Sequence, residues 1–120
     1  MNNYITKFPP LTPVVFHVLL ALATSERHGY DIIKQIALDS NQKMIVGNGT
    51  LYGSIKRMLD DNLIEPAGEK MAENGLIRKY YKLTSHGKKI LNAETERYLQ
   101  LAFIIKERQN RFNHASPQIA

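Results

Sequence analysis

The sequence contains no cysteine and no tryptophan, and the first absence removes several classes of site. Without cysteine the chain can form no disulfide, no thiolate nucleophile and no cysteine-ligated zinc site. A small domain that lacks such staples must be stabilised by its own core or by association with a second chain. The lack of cysteine also fits a reducing compartment, so we expect a cytoplasmic location.

Long hydrophobic runs are also scarce. The longest covers residues 14–23, is interrupted by His17 and is too short to span a bilayer. Residues 1–10 lack the charged start, the apolar run and the small-residue cleavage site of a secretory signal. What is present is a chain of 120 residues, enough for one compact core, with a net charge of +5. This charge favours an anionic partner, either nucleic acid or a membrane surface.

Three helical patterns occupy the first half of the chain. The first is predicted over residues 13–24, where Thr12 is a suitable N-cap and Pro13 fits the first helical position. A turn follows, and the second helix is predicted over residues 30–40 and the third over residues 49–61. One arc of the third helix is apolar and consists of Leu51, Ile55, Met58 and Leu59. The opposite arc carries small and basic residues, namely Thr50, Gly53, Lys56 and Arg57.

The hydrophobic period changes after Asn62. Residues 63–70 and 76–84 read as two short strands joined by a hairpin turn that contains Asn-Gly. The second strand does not alternate strictly, so a bulge or partial burial is expected near residues 79–81.

A long helix is predicted over residues 85–111, with Ser85 as its cap and a frayed tail over residues 114–120. Its apolar arc is too wide for a solvated terminal helix, so it needs a partner surface.

The order helix, helix, helix, hairpin, helix is that of a winged helix-turn-helix protein. The expected fold class is therefore mainly α (α+β), with a two-stranded wing and a long C-terminal dimerisation helix. Residues 1–84 would form the DNA-binding domain, and residues 85–120 would form the dimerisation helix and tail of the same compact unit. In such folds the second helix of the pair enters the major groove while the first crosses the DNA backbone.

Several segments resemble the PadR family of transcriptional regulators over roughly residues 11–105. These are LLAL at residues 19–22, HGYDI at 28–32, GTLYGSIKRM at 49–58, LI at 63–64 and RKYYKLTSHG at 78–87. The single C-terminal helix resembles the compact branch of the family. The resemblance implies a homodimer that represses transcription from a pseudo-palindromic operator and is released by a small molecule or a stress signal. Two features depart from the family. Gly47-Asn48 stands where many relatives have a Ser-Pro pair. Some multidrug-sensing relatives stack flat ligands on a tryptophan in the dimer pore, so the lack of tryptophan means that this activity is not implied here.

The candidate DNA-binding residues lie on the second helix, the third helix and the wing. They are Tyr30, Asn48, Thr50, Tyr52, Gly53, Lys56, Arg57, Lys70, Arg78 and Lys79. Lys56 and Arg57 either contact a base edge and a phosphate or form a solvated face, and the resemblance favours contact. Thr50 and Gly53 are small and either let the helix approach the groove closely or have only local effects. In the second case Thr50 starts the helix and Gly53 slightly weakens it.

Two interpretations stay open for each of the remaining candidates. Tyr52 either reaches a phosphate or is half-buried with its hydroxyl in water. Tyr30 either lies at a phosphate-binding helix N-terminus or packs against the third helix. The wing cations either contact phosphates or keep an exposed hairpin soluble.

The candidate dimer interface consists of Phe16, Leu91, Tyr98, Leu101, Ala102 and Ile105. The alternatives are a protein-interaction module and a small-molecule sensor whose dimer cavity is the main site. We expect no enzyme activity, cofactor, metal site or membrane partner, because no nucleophile–base constellation is present and the four histidines lack metal-ligand spacing.

Overall fold

The computed structural model describes residues 9–115, in four helices and three strands. In chain order these are α1 (Pro13–Leu22), β1 (Arg27–His28), α2 (Gly29–Asp39), α3 (Asn48–Asp60), β2 (Ile64–Met71), β3 (Ile77–Leu83) and α4 (Ser85–Ala115). This is the predicted mixed α+β winged-helix architecture with its long C-terminal helix. The expected frayed tail falls mainly on residues 116–120, which lie outside the described part of the chain.

Local capping fixes the start of α1 where the sequence predicted it. The backbone N–H of Val15 donates to Oγ1 of Thr12 at 3.3 Å, and Pro13 occupies the first turn. The helix ends at Leu22, two residues before its predicted end. Its inner face joins the core through Val18, Leu19, Ala21 and Leu22.

The sheet has three antiparallel strands in the order β1-β3-β2. The short β1 pairs Arg27 with Tyr81 and His28 with Tyr80, where the sequence predicted only a turn. Two residues carry no detectable strand period, so this pairing is set by tertiary contact rather than by a local pattern. As a result the wing is anchored directly to the segment that begins α2.

The predicted irregularity near residues 79–81 is present, but the extra residue belongs to β2. Pro66 pairs with Tyr81 and Glu69 with Lys79, so two residues of β2 face one residue of β3. Gly68 adopts a φ of +98° there, a left-handed conformation that favours glycine.

A hydrogen-bonded junction sets where α4 leaves the core. Oγ1 of Thr84 accepts from the N–H of Gly87 at 2.8 Å and donates to the Asn62 carbonyl at 2.6 Å. Thr84 is therefore the residue that caps the start of α4, and the prediction that Ser85 does so was wrong. The Gly87 backbone lies against Leu63, because a Cβ at Gly87 would fall 2.9 Å from the carbonyl carbon of Leu63.

The long α4 has two unlike parts. Its beginning packs into the core through Ile90 and Leu91, whereas its later apolar side chains lie on the surface, including Phe103 at 67% and Phe112 at 76% exposure. With 31 residues the helix is about 46 Å long, in a molecule whose longest extent is 66 Å. In the described residues no helix has the length and apolar character needed to cross a membrane.

Candidate nucleic-acid interface

The outer face of α3 is exposed to solvent. Leu51, Ile55 and Met58 are buried and hold the helix on the core, which leaves the opposite side in solvent. On that side lie Asn48, Thr50, Lys56 and Arg57, all exposed, together with the partly exposed Gly53. The helix begins after Gly47 without a side-chain cap, so its first N–H groups remain available to an acceptor outside the protein.

No contact within the described part of the chain requires a glycine rather than a larger residue at Gly53. It lies inside α3, and a Cβ built on it would meet nothing within 4 Å. A glycine inside a helix costs about 0.5–1 kcal/mol relative to alanine. The fold of the chain itself therefore leaves room for a larger residue at this position.

Tyr52 connects the start of α3 to the start of α2. Its side chain is 49% exposed, yet the hydroxyl end packs on Gly29, where a Cβ would lie 2.7 Å from Cζ of Tyr52. Burial, and secondly the neighbouring Tyr52, raise the pKa of Tyr81 above its ordinary value. The residue is half-exposed, as one of the two interpretations of the sequence has it, but its hydroxyl end lies against Gly29 rather than free in water.

His28 organises the start of α2. The backbone N–H of Asp31 donates to Nδ1 of His28 at 3.2 Å, so the imidazole caps the helix. Its ring meets the edge of Tyr80 at 5.3 Å and stacks parallel to Tyr30 at 6.5 Å between centroids. Burial, followed by the positive charge of Arg78, lowers the pKa of His28 below 6.5.

Basic and aromatic side chains line a cleft of about 220 Å³ between α2 and the wing. Lys34 Nζ lies 5.3 Å and the Arg78 guanidinium 5.6 Å from the centre of the Tyr30 ring. Lys70 Nζ lies 4.7 Å from the centre of the Tyr80 ring. We call this site, formed by His28, Tyr30, Lys34, Lys70, Arg78 and Tyr80, the α2–wing cleft.

The predicted DNA-binding residues thus fall into two groups, and Tyr52 and Lys79 lie outside both. The first group shares the outer face of α3 and the second meets in the α2–wing cleft; they are Asn48, Thr50, Gly53, Lys56 and Arg57, and Tyr30, Lys70 and Arg78. Tyr52 packs on Gly29 instead. Lys79 joins neither group, because it pairs with Glu69 and borders a separate hollow that includes Leu59. Sequence reasoning missed Lys34 and Tyr80. The Tyr30–Lys34 spacing of four residues on a helix was the available signal.

Among the described residues, the cations of both surfaces form no ion pair with a carboxylate, although Asp31 lines the α2–wing cleft. Within residues 9–115 the structure shows two ion pairs, Arg27 with Asp31 at 3.1 Å and Arg97 with Glu94. Neither pair uses a cation of α3 or of the α2–wing cleft. Both surfaces are therefore electrostatically suited to an anion.

The candidate dimer-interface residues differ in how exposed they are. Tyr98, Leu101, Ala102 and Ile105 are exposed along α4, and the Tyr98 ring packs on Phe16 of α1 at 4.7 Å between centroids. Leu91 is only 6% exposed and belongs to the core of its own chain, so its assignment to the interface needs correction. The sequence pattern placed Leu91 on the apolar arc of α4 but could not show that the first turns of this arc are covered by the core.

Comparison with known proteins gives the same fold. The sequence pattern of the transcriptional regulator PadR-like family matches residues 18–93, which is well over half of the chain. A PadR family transcription regulator from Clostridium difficile is similar at 27% identity, with a TM-score of 0.64 over 84% of this chain and 98% of that one.

Two further structures share the fold at lower identity. A PadR-like transcriptional regulator from Bacillus cereus has 22% identity and a TM-score of 0.67, over 80% of this chain and 90% of that one. Bacillus subtilis PadR, solved in complex with operator DNA, has 24% identity and a TM-score of 0.61, over 68% of this chain and 46% of that one. From the extent of the family match, the chain belongs to the PadR-like family of transcriptional regulators.

Proposed function

We propose that this regulator binds a specific pseudo-palindromic operator as a homodimer and represses transcription by occupying it. The observation that carries the proposal is the outer face of α3, where Lys56 and Arg57 are exposed and a Cβ on Gly53 would meet nothing within 4 Å. Membership of a family of transcriptional regulators supports a DNA partner. A similar fold in Bacillus subtilis PadR, which was solved with operator DNA, supports it further. A protein with this role acts where the chromosome lies, so a cytoplasmic location is part of the proposal.

The chemistry of α3 suits insertion into a major groove. Arg57 offers a planar fork of donors that matches guanine, a contact worth about 1–3 kcal/mol of base discrimination. Lys56 is a point charge suited to a phosphate oxygen, and the small Thr50 lets the helix approach the bases. The helix reads DNA mainly one turn after its start, because Leu51 faces the core and Tyr52 packs on Gly29.

The later part of α4 supplies the proposed dimer contact. Its exposed apolar side chains, which the chain itself does not cover, are Tyr98, Leu99, Leu101, Phe103, Ile104, Ile105 and Phe112. An exposed apolar surface of this extent marks an interaction site. A two-fold dimer would present two copies of α3 to major grooves about 34–36 Å apart.

An effector would act by favouring one of two dimer arrangements. A hollow of about 350 Å³ lies between the segment before α1 and α4, lined by Leu11, Glu94, Tyr98 and Leu101 among others. A small molecule bound there would release the operator only if it bound better to the arrangement that misplaces α3. This part of the proposal rests on the position of the hollow beside the exposed face of α4.

The first experiment selects duplexes from a random DNA pool with the purified protein and measures their affinity by fluorescence anisotropy. Lys56→Ala and Arg57→Ala should each weaken binding of the selected duplex by about tenfold or more, with unchanged thermal unfolding. Lys106→Ala, an exposed charge-matched change far along α4, is the control and should bind like the wild type. Unchanged affinity in both α3 variants would reject α3 as the reading element.

A further inference from the structure

We propose that Asn48, at the start of α3, is a site of spontaneous deamidation, and that its conversion to an acidic residue weakens operator binding. The chain contains two Asn-Gly pairs, Asn48-Gly49 at the start of α3 and Asn74-Gly75 in the turn of the wing. The reactivity of the first pair follows from its surroundings in the fold. Its effect on DNA rests on the proposed function, which places this end of α3 at the operator.

Deamidation of an Asn-Gly pair begins at the backbone nitrogen of the glycine. This nitrogen loses its proton to water or hydroxide and attacks Cγ of the asparagine side chain. An N–C bond forms, the C–N bond of the side-chain amide breaks, and ammonia leaves with the proton that it needs. Water then opens the five-membered imide at either of its two carbonyls and leaves aspartate or isoaspartate. Glycine favours the reaction because it has no side chain to block the attack.

The reacting groups of Asn48-Gly49 are free. Because α3 begins after Gly47 without a side-chain cap, the N–H of Gly49 lies in the unpaired first turn. Within residues 9–115 neither this N–H nor the Asn48 side chain has a hydrogen-bond partner. Both residues are exposed, and a Cβ on Gly49 would meet nothing within 4 Å. The ends of helices open at little cost, so the nitrogen can turn towards Cγ.

The same pair of residues in the wing is held closed. The N–H of Gly75 donates to the Ala72 carbonyl at 2.9 Å, and Oδ1 of Asn74 accepts from the N–H of Leu76 at 3.1 Å. A third hydrogen bond, from the Ala72 N–H to the Leu76 carbonyl at 2.7 Å, closes the turn. The attacking nitrogen and the side chain that it must attack are therefore both engaged. The sequence alone does not rank the two pairs, whereas the structure ranks Asn48 first.

An acidic residue at position 48 would change the outer face of α3. Its carboxylate would stand on the same exposed face as Lys56 and Arg57 and would repel the phosphates of DNA. The fold would persist in the aspartate form, because a negative charge in the first turn of a helix is favourable. The isoaspartate form adds one carbon to the main chain and so displaces the start of α3. Deamidation would thus release the operator without unfolding the protein.

The first arm of the test follows both asparagines in one sample of the wild-type protein. The protein is incubated at mildly alkaline pH, and peptide mapping by mass spectrometry measures the acidic products at positions 48 and 74. Position 48 should convert at least about fivefold faster, because hydrogen bonds must open before Asn74 can react. Gly49→Ala should slow the conversion at position 48 and leave the rate at position 74 unchanged. Equal rates in the wild type, or a faster reaction at Asn74, would overturn the site.

The second arm measures binding of the selected duplex. Asn48→Asp should bind about tenfold more weakly than the wild type, with unchanged thermal unfolding. Asn92→Asp, the same change at an exposed position of α4, is the matched control and should bind like the wild type. Incubated wild-type protein should lose affinity in step with the conversion at position 48, while incubated Gly49→Ala keeps its own starting affinity.

The outcomes separate this inference from the proposed function. Wild-type affinity in Asn48→Asp, or full affinity in wild-type protein converted at position 48, would overturn the release of DNA by deamidation. Fresh wild-type protein that binds no duplex would reject the proposed function itself, and the two conversion rates would still decide whether Asn48 is the reactive site.

Discussion

Replacing Gly53 by alanine should stabilise the protein and weaken its binding to DNA. The space that a Cβ would occupy is empty to 4 Å, so the substitution creates no clash. Inside α3 the change removes the backbone entropy cost of glycine, which gains about 0.5–1 kcal/mol. For a domain of this size that gain raises the midpoint of thermal unfolding by roughly 2–5 °C.

The same methyl group projects into the surface that we propose meets DNA. If the groove approaches the helix backbone at this position, one methyl group is enough to push the helix outward and lengthen its contacts. A loss of about tenfold, or about 1.4 kcal/mol, is expected on the selected duplex. Thermal unfolding by circular dichroism and anisotropy titration of the same samples measure the two effects.

A control variant separates the effect of higher protein stability from the effect of a disturbed contact with DNA. Asn92→Ala changes an exposed position of α4 and also raises helix propensity, so it should stabilise the protein without altering affinity. If Gly53→Ala raises stability but binds the selected duplex like the wild type, close approach at Gly53 is refuted. A fall in stability would show instead that the site is not open.

Three further predictions concern the fold, its pH dependence and its assembly. Gly87→Ala should lower the free energy of unfolding by about 3 kcal/mol in chemical denaturation, since its Cβ would press on the rigid backbone of Leu63 and disturb the Thr84 bond; stability within 1 kcal/mol of the wild type would contradict this. The lowered pKa of His28 means that its contribution to stability is complete above pH 6.5 and is lost as the pH falls through the folded-state pKa. His28→Asn, which keeps a capping acceptor, should show a weaker loss of stability below pH 6.5, and an identical pH profile would refute the assignment. Phe103→Glu should convert the proposed dimer into a monomer in sedimentation, and a persistent dimer would move the interface elsewhere.

Local signals in the sequence predicted most of the elements. Caps and apolar periods are short-range properties, so the start of α1 at Pro13 was predicted correctly. The ends of α2 and α3 fell within one residue of their predicted positions. The buried and exposed arcs of α3 followed from the same period, because a helix packed on one side must hide its apolar stripe.

Features that depend on distant parts of the chain were missed. The strand β1 has two residues and exists through its pairing with Tyr80 and Tyr81. The α2–wing cleft depends on that pairing, so Lys34 and Tyr80 could not be brought together from their positions in the sequence. The burial of Leu91 likewise depends on how α4 meets the core.

The most direct test of the central claim is the affinity of the protein for the selected duplex relative to a shuffled duplex at physiological salt. The outer face of α3 predicts a ratio of at least about 1,000, with the enriched sequence showing two related half-sites one helical turn apart. Equal affinity for the two duplexes, with no enriched sequence after selection, would contradict sequence-specific recognition by this face.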